Sequence, residues 1–319
     1  MQLDQRAEPG ASAEALHPDW NAEDHLIRLL ADNARDHGAE IAMRERDHGI
    51  WKCYTWNDYL ERVLLMAAGL DALGLEPRDN VLVIGDNRPE LYFGMLAVIA
   101  LRAVPSPAYP DATPAEIADQ VRREDIRYAL AEDQEQVDKL CDIRERDGGL
   151  DIILYDDPRG LAGKEPEGVI ALEEIARRGA ERLADGPGLR EELLSRATAH
   201  DAAVLLHSSG STGRPKGIPL KHGHLLASVR NAARAGYFRE GEVHMAYLPM
   251  AWVGDFIFSV CAALALRFSV NIPERQETAL HDLREIGPTV YFSSPRAWSN
   301  MLTRIQVGIG ETSRFKRAL

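Results

Sequence analysis

The sequence predicts an α/β protein with doubly wound parallel sheets and helices on both faces, and three observations carry that prediction. Short apolar runs recur at 81–84, 128–131, 152–155 and 202–206, each continuous, ended by polar residues and too short for a helix. Between them lie longer stretches with apolar side chains three and four residues apart, the spacing of one buried helical face. Strands alternating with helices of this length imply right-handed βαβ units, hence parallel strands covered by helices.

Residues 1–20 are acidic and rich in Pro and Ala, lack an apolar signal core, and are expected to form a flexible arm. Residues 21–200 are expected to make a first α/β subdomain, and 201–319 an incomplete second one. Leu26, Ile27, Leu29, Leu30 and Ala34 put one apolar face on a helix over 21–37. Residues 41–43 and 51–55 read as strands around the turn Asp47-His48-Gly49. Helical spacing resumes over 56–73, with Gly74 as its C-cap. After the strand 81–84, a helix over 89–102 opens behind Asn87, and Val104-Pro105 begins an irregular proline-rich connection to Pro110. Thr113-Pro114-Ala115-Glu116 is a capping box with proline at the first helical position, starting a helix that runs through Arg123. A strand at 128–131, a helix at 134–147 and a strand at 152–155 follow. Residues 157–200, rich in Gly, Glu and Arg, read as surface connection with an amphipathic helix over about 172–183. Past residue 217 the expected order is helix 222–235, strand 243–248, helix 256–266, strand 269–272, helix 278–286 and strand 289–292.

Composition narrows the class. Hydrophobic residues at 45% and charged residues at 27% are ordinary for a soluble globular protein. The formal net charge of −13 argues against a nucleic-acid partner, which needs clustered Lys and Arg, but leaves room for a nucleotide held by a local basic loop. The three cysteines, Cys53, Cys141 and Cys261, form no C-x-x-C pair, so neither a zinc site nor a disulfide framework is indicated. They are expected to be buried free thiols in a reducing, cytoplasmic setting. No protein metal site is read from the residues. The most lipophilic run, 256–266, is flanked by Asp255 and Arg267 and too short to span a bilayer, so no transmembrane segment is expected, although peripheral membrane contact is compatible with it.

The stretch that carries chemistry follows the apolar run 202–206: His207-Ser208-Ser209-Gly210-Ser211-Thr212-Gly213-Arg214-Pro215-Lys216-Gly217. Glycines let backbone N–H groups approach an anion, hydroxyls add donors, and Lys216 brings a mobile positive charge. Together they suit phosphate. The spacing is not that of the usual P-loop, because Pro215 and Gly217-Ile218-Pro219 prevent a helix from starting at the lysine. A flexible Ser/Gly surface turn is the plain alternative, but the ordered string is hard to obtain by chance.

These residues resemble the phosphate-loop signature of the adenylate-forming (AMP-binding) enzymes, the family of acyl-CoA synthetases, luciferases and peptide-synthetase adenylation domains. Tyr247-Leu248-Pro249-Met250-Ala251-Trp252 is similar to the Leu-Pro-Leu segment of long-chain fatty acyl-CoA synthetases. Asp282-Leu283-Arg284-Glu285-Ile286-Gly287-Pro288-Thr289 and Ser294-Pro295-Arg296-Ala297-Trp298 are similar to that branch's helix, strand and Pro-Arg turn. The resemblance runs from about residue 25 to the end.

It implies an ATP-dependent acid–thiol ligase. A carboxylate, here a fatty acid, attacks the α-phosphorus of ATP and releases pyrophosphate; a thiol such as that of CoA then attacks the acyl-adenylate. On this resemblance Ser208, Ser209, Gly210, Ser211, Thr212, Gly213, Lys216 and Gly217 hold the β- and γ-phosphates, with Thr212 and Lys216 as the catalytic pair and Mg²⁺ sharing the charge. Trp252 and Arg296 are the expected substrate-binding residues, and 250–258 can line an acyl tunnel, although core packing accounts for that stretch equally well. Trp252 stands where many relatives carry histidine. Asp255 reads as a helix cap. His207 replaces the aromatic residue common before this loop and reads as a packing or hydrogen-bonding residue, not a base; His222 and His224 read as structural. The Gly-Tyr-Gly-x-Thr-Glu motif, the ribose aspartate, the hinge and the mobile domain with its catalytic lysine do not occur. The chain is therefore expected to be an N-terminal portion, inactive alone. A non-catalytic nucleotide- or lipid-binding protein on the same fold is the alternative; a P-loop ATPase is disfavoured by Pro215. Acid chain length, thiol acceptor and oligomeric state are not set by the sequence.

Overall fold

In the computed structural model, which describes residues 23–161, 163, 165–208 and 216–310, the expected alternation becomes two main sheets and a separate hairpin. The flexible arm assigned to residues 1–20 lies outside the described residues. Helix α1 (Leu26–His37) leads into strands β1 (Ile41–Asp47) and β2 (Ile50–Thr55). His48 and Gly49, at φ 48° and 75°, form the two-residue turn that joins these antiparallel strands. Thr55 then opens α2 (Trp56–Ala72) in a reciprocal capping box with Asp58.

The next run is β3 (Asn80–Ile84), α3 (Pro89–Ala100), β4 (Val104–Ala108), α4 (Pro114–Arg123), β5 (Tyr128–Ala131), α5 (Gln134–Asp147), β6 (Ile152–Tyr155) and β7 (Val169–Ala171). Its strands pair in parallel in the order β4-β3-β5-β6-β7. The capping box expected at Thr113 and Glu116 is formed, with both reciprocal bonds present. Helices α6 (Leu172–Asp185) and α7 (Leu189–Ser195) follow. The second sheet is β10 (Val243–Met245), β11 (Ser269–Ile272), β1 and β2, with β10, β11 and β1 parallel. Early and late strands thus share one sheet, so residue 200 does not separate one sheet from the other.

Helix α3 is apolar on every side and almost wholly buried because it lies between the two sheets, touching β1 on one side and β3, β4 and β5 on the other. Where α2 crosses α6 the backbones nearly touch: a Cβ on Gly179 would stand 1.8 Å from the Leu65 carbonyl oxygen, and one on Gly69 2.2 Å from that of Ile175. Backbone cannot yield as a side chain does. Gly179→Ala is expected to cost about 2 kcal/mol of unfolding free energy in a urea titration; a cost near zero would mean the crossing is looser than described.

Five expectations are corrected. Residues 104–108, read as irregular, form β4. The prolines tolerate this because Val104 turns its N–H to β3, at Asp79, so Pro105 and Pro107 face the outer edge where no ladder bond is needed. Residues 289–292, read as a strand, make only the single bridge Val290–His244. The connection 157–200 also contains β7 and α7. The helix expected at 256–266 begins earlier, as α9 (Val253–Asp255), continues π-helical over Phe256–Ala262 and ends as α10 (Ala263–Leu266). Of the cysteines, Cys261 is buried but Cys53 is exposed, because β2 turns it outward. Among the described residues no helix is long and apolar enough to cross a membrane.

Candidate phosphate hairpin and adjoining loops

Strand β8 (Ala202–Ser208) buries Ala203, Val204 and Leu206, while β9 (Lys216–Lys221) is largely exposed. The two pair antiparallel, with Ser208 opposite Lys216 and His207 opposite Gly217. The Ser/Gly loop is therefore the tip of a hairpin. Ser209, Gly210, Ser211, Thr212 and Gly213 lie outside the described residues. Lys216 begins a strand, as Pro215 and Pro219 require, and helix α8 (His222–Arg234) starts only after β9. Helix α8 therefore does not follow the loop directly, as a helix follows the usual P-loop. Lys216 is exposed, and its ammonium has no partner among the described residues. Gly217 packs tightly: a Cβ there would lie 3.1 Å from Leu205 Cδ1.

Polar contacts fix the hairpin at both ends of β8, which lies beside the proline edge of β4. Just before β8, Asp201 takes a two-pronged bond from Arg102 (3.1 and 3.0 Å). At the loop end, His207 Nε2 contacts Glu124 Oε1. Glu124 is also held by Ser106 Oγ (2.7 Å), which in turn accepts from Gln120 (3.0 Å). Burial opposes ionisation of Glu124, yet the bonds from His207 and Ser106 hold its carboxyl below the usual range. His207 is thus a hydrogen-bonding residue.

The other two loops meet each other. Tyr247 Oη donates to the Phe292 carbonyl (2.8 Å) and its ring stacks on Tyr291, so the segments after β10 and after the Val290 bridge leave side by side. Trp252, at the start of α9, is 40% exposed. Arg296 is exposed near the start of the helix Pro295–Gly310, with no partner among the described residues. Met250 and Phe256 are core residues, whereas Phe258 stacks on Phe292 at 3.7 Å. No hydrogen bond, ion pair or ring contact among the described residues joins the hairpin to these two loops.

Asp255 is not a helix cap. Its side chain turns inward, 1% exposed, and accepts from Tyr92 Oη (2.9 Å), Ser259 Oγ (2.8 Å) and Asn87 Nδ2 (3.2 Å). Asn87 also donates to the Leu248 carbonyl (3.0 Å), so this cluster stitches the carboxyl end of β3 to the loop after β10. Burial pushes the Asp255 carboxyl up to about 7. His244 and His222 are buried and their imidazoles pushed down, to about 4 and 3, so both are neutral; the Nδ1 of His222 accepts the Leu26 N–H (3.3 Å). The sequence signalled neither the Glu124–His207 pair nor the Asn87–Tyr92–Asp255 cluster, because Glu124 and His207 stand 83 residues apart and Asn87 and Asp255 168. Among the described residues, no three His, Cys, Asp or Glu side chains gather to hold a metal ion.

A family model described as AMP-binding enzyme matches residues 30–316. The chain belongs to the AMP-binding enzyme family. The chain is 26% identical over 281 residues to the long-chain-fatty-acid–CoA ligase heimdall of Drosophila melanogaster, covering 84% of this chain and 40% of that one. It is 25% identical to the long-chain-fatty-acid–CoA ligase FadD15 of Mycobacterium tuberculosis, covering 87% and 45%. The chain therefore spans about two fifths of the length of such relatives. Its fold is that of VinN (TM-score 0.70, 18% identity, 90% of this chain and 65% of that one). It is likewise that of the fatty acyl-adenylate ligase of L. pneumophila solved with acyl adenylate and pyrophosphate (0.67, 16%, 92% and 47%).

Proposed function

We propose that this chain supplies the triphosphate-holding part of an ATP-dependent acid–thiol ligase that converts a fatty acid to its acyl-adenylate and then to acyl-CoA. The observation that carries it is the β8–β9 hairpin, whose two strands bring Ser208 and the exposed Lys216 to opposite sides of the Ser/Gly tip. Joining a carboxylate to a triphosphate sets two anions against each other, so the site must neutralise the phosphates and hold the α-phosphorus in line. Lys216 supplies the charge, and Ser208, Ser209, Ser211 and Thr212 the hydroxyl donors. The N–H groups of Gly210, Gly213 and Gly217 complete the cradle. Among the described residues no three His, Cys, Asp or Glu side chains gather to hold Mg²⁺. Support for a fatty acid comes from the relatives, which are long-chain-fatty-acid–CoA ligases, and from the aromatic loops at Tyr247–Trp252 and Tyr291–Trp298, where Trp252 and Arg296 are the substrate-facing residues.

The test is ATP–pyrophosphate exchange with fatty acids of rising chain length, run on this chain and on a version carrying the remaining length of its relatives. Exchange that requires the acid in the longer version is the expected result. ATP binding without exchange would make this a nucleotide- or lipid-binding protein, and phosphate release without acid an ATPase.

A further inference from the structure

Glu124 ends α4, far in sequence from the Ser/Gly loop, yet its side chain is only 6% exposed and lies against His207, the penultimate residue of β8. The apolar anchoring of the hairpin stops at Leu206, since His207 and Ser208 are half-buried and β9 packs on little besides β8 and the start of α8. Beyond Leu206 the last tether before the loop is polar. It runs from Gln120 through Ser106 to Glu124 and on to His207. The charged group facing this pair is Arg123 of α4, which also bonds Glu124 Oε1 (3.2 Å), while Lys216 stands across the hairpin from Ser208. A carboxylate accepts only, so Nε2 is the donating nitrogen of His207.

We infer that Glu124 is a positioning residue for the phosphate hairpin: by accepting from His207 it fixes the outgoing end of β8, and so sets where Ser208 and Lys216 stand relative to a bound polyphosphate. This rests on the hairpin being the phosphate site, as proposed above. Glu124 touches no ligand itself. It acts through His207, and the effect falls on polyphosphate affinity more than on the fold, because the core of β8 is buried without it.

The experiment titrates ATP and inorganic pyrophosphate into the full chain and into five variants, with a thermal midpoint recorded for each. Glu124→Met and His207→Phe break the pair from either side while keeping bulk. His207→Gln restores an amide donor to Glu124, and Lys216→Ala reports on the site itself. Expected are affinities for both ligands about tenfold weaker in the two broken variants, recovery to within about threefold in His207→Gln, and a Glu124→Met/His207→Phe double variant no weaker than the worse single. Should Glu124→Met not fold, the contrast between His207→Phe and His207→Gln decides. Native-like binding in the broken variants beside a weakened Lys216→Ala would overturn the role of Glu124 and leave the phosphate site standing. Equal loss in His207→Gln and His207→Phe would also overturn it. Native-like binding by Lys216→Ala, or no binding by the native chain, would remove the phosphate site and this role with it.

Discussion

Asp255→Ala should cost about 3 kcal/mol of unfolding free energy in a urea titration. The carboxyl takes bonds from Tyr92, Ser259 and Asn87 in a space closed to water. Removing it strands donors, and each stranded donor costs about 1–3 kcal/mol. The total stays near the low end because Ser259 can turn to His244 Nε2, 3.3 Å away, and Asn87 keeps the Leu248 carbonyl. The same group gives stability a pH signature. Its carboxyl stands near 7 in the fold against 3.8 ordinarily, because burial disfavours the charge. Below about pH 4 both folded and unfolded chains hold the proton; between about 4 and 7 the unfolded chain releases it and the folded chain keeps it. Stability from this group is therefore full below pH 4 and is lost towards pH 7, at most about 1.4 kcal/mol per pH unit. Asp156, also pushed up to about 7 by burial among carboxylates, acts in the same sense. Urea titrations at pH 4.5 and 7 should differ less in Asp255→Asn than in the native chain. An unchanged difference would remove Asp255 from the account.

Lys216→Ala combined with Thr212→Ala should weaken ATP binding by about a hundredfold. Two charge-assisted or hydroxyl contacts to phosphate are removed, each worth about 1.5 kcal/mol or more, and every 1.4 kcal/mol is tenfold. The loss should shrink as salt rises, since the lysine is exposed and its attraction is screened. An affinity unchanged by both substitutions would take the hairpin out of nucleotide binding.

What the sequence revealed was local. The strand at 128–131, the helix at 134–147 and the capping box at Thr113 are set by neighbours within a few residues, and they stand where periodicity and cap chemistry place them. The alternation also gave the parallel α/β architecture. What it hid was non-local. Pro105 and Pro107 read as breakers because only the sheet reveals that they face an edge. Asp255 read as a cap because an acidic residue before an apolar helix normally is one; its distant partners, Asn87 and Tyr92, come from the loop after β3 and from helix α3. The loop's composition pointed to phosphate, but that it joins two antiparallel strands follows from the Ser208–Lys216 register, which no short window contains. Nor does any pattern within α4 announce that Glu124 reaches His207.

The central claim is that the tip between Ser208 and Lys216 clasps a nucleotide's polyphosphate. Crystals of the chain soaked with ATP test it most directly. The account predicts triphosphate density along residues 209–215, with a phosphate oxygen about 3 Å from Lys216 Nζ. Triphosphate bound elsewhere on the chain, with nothing beside Lys216, would contradict it.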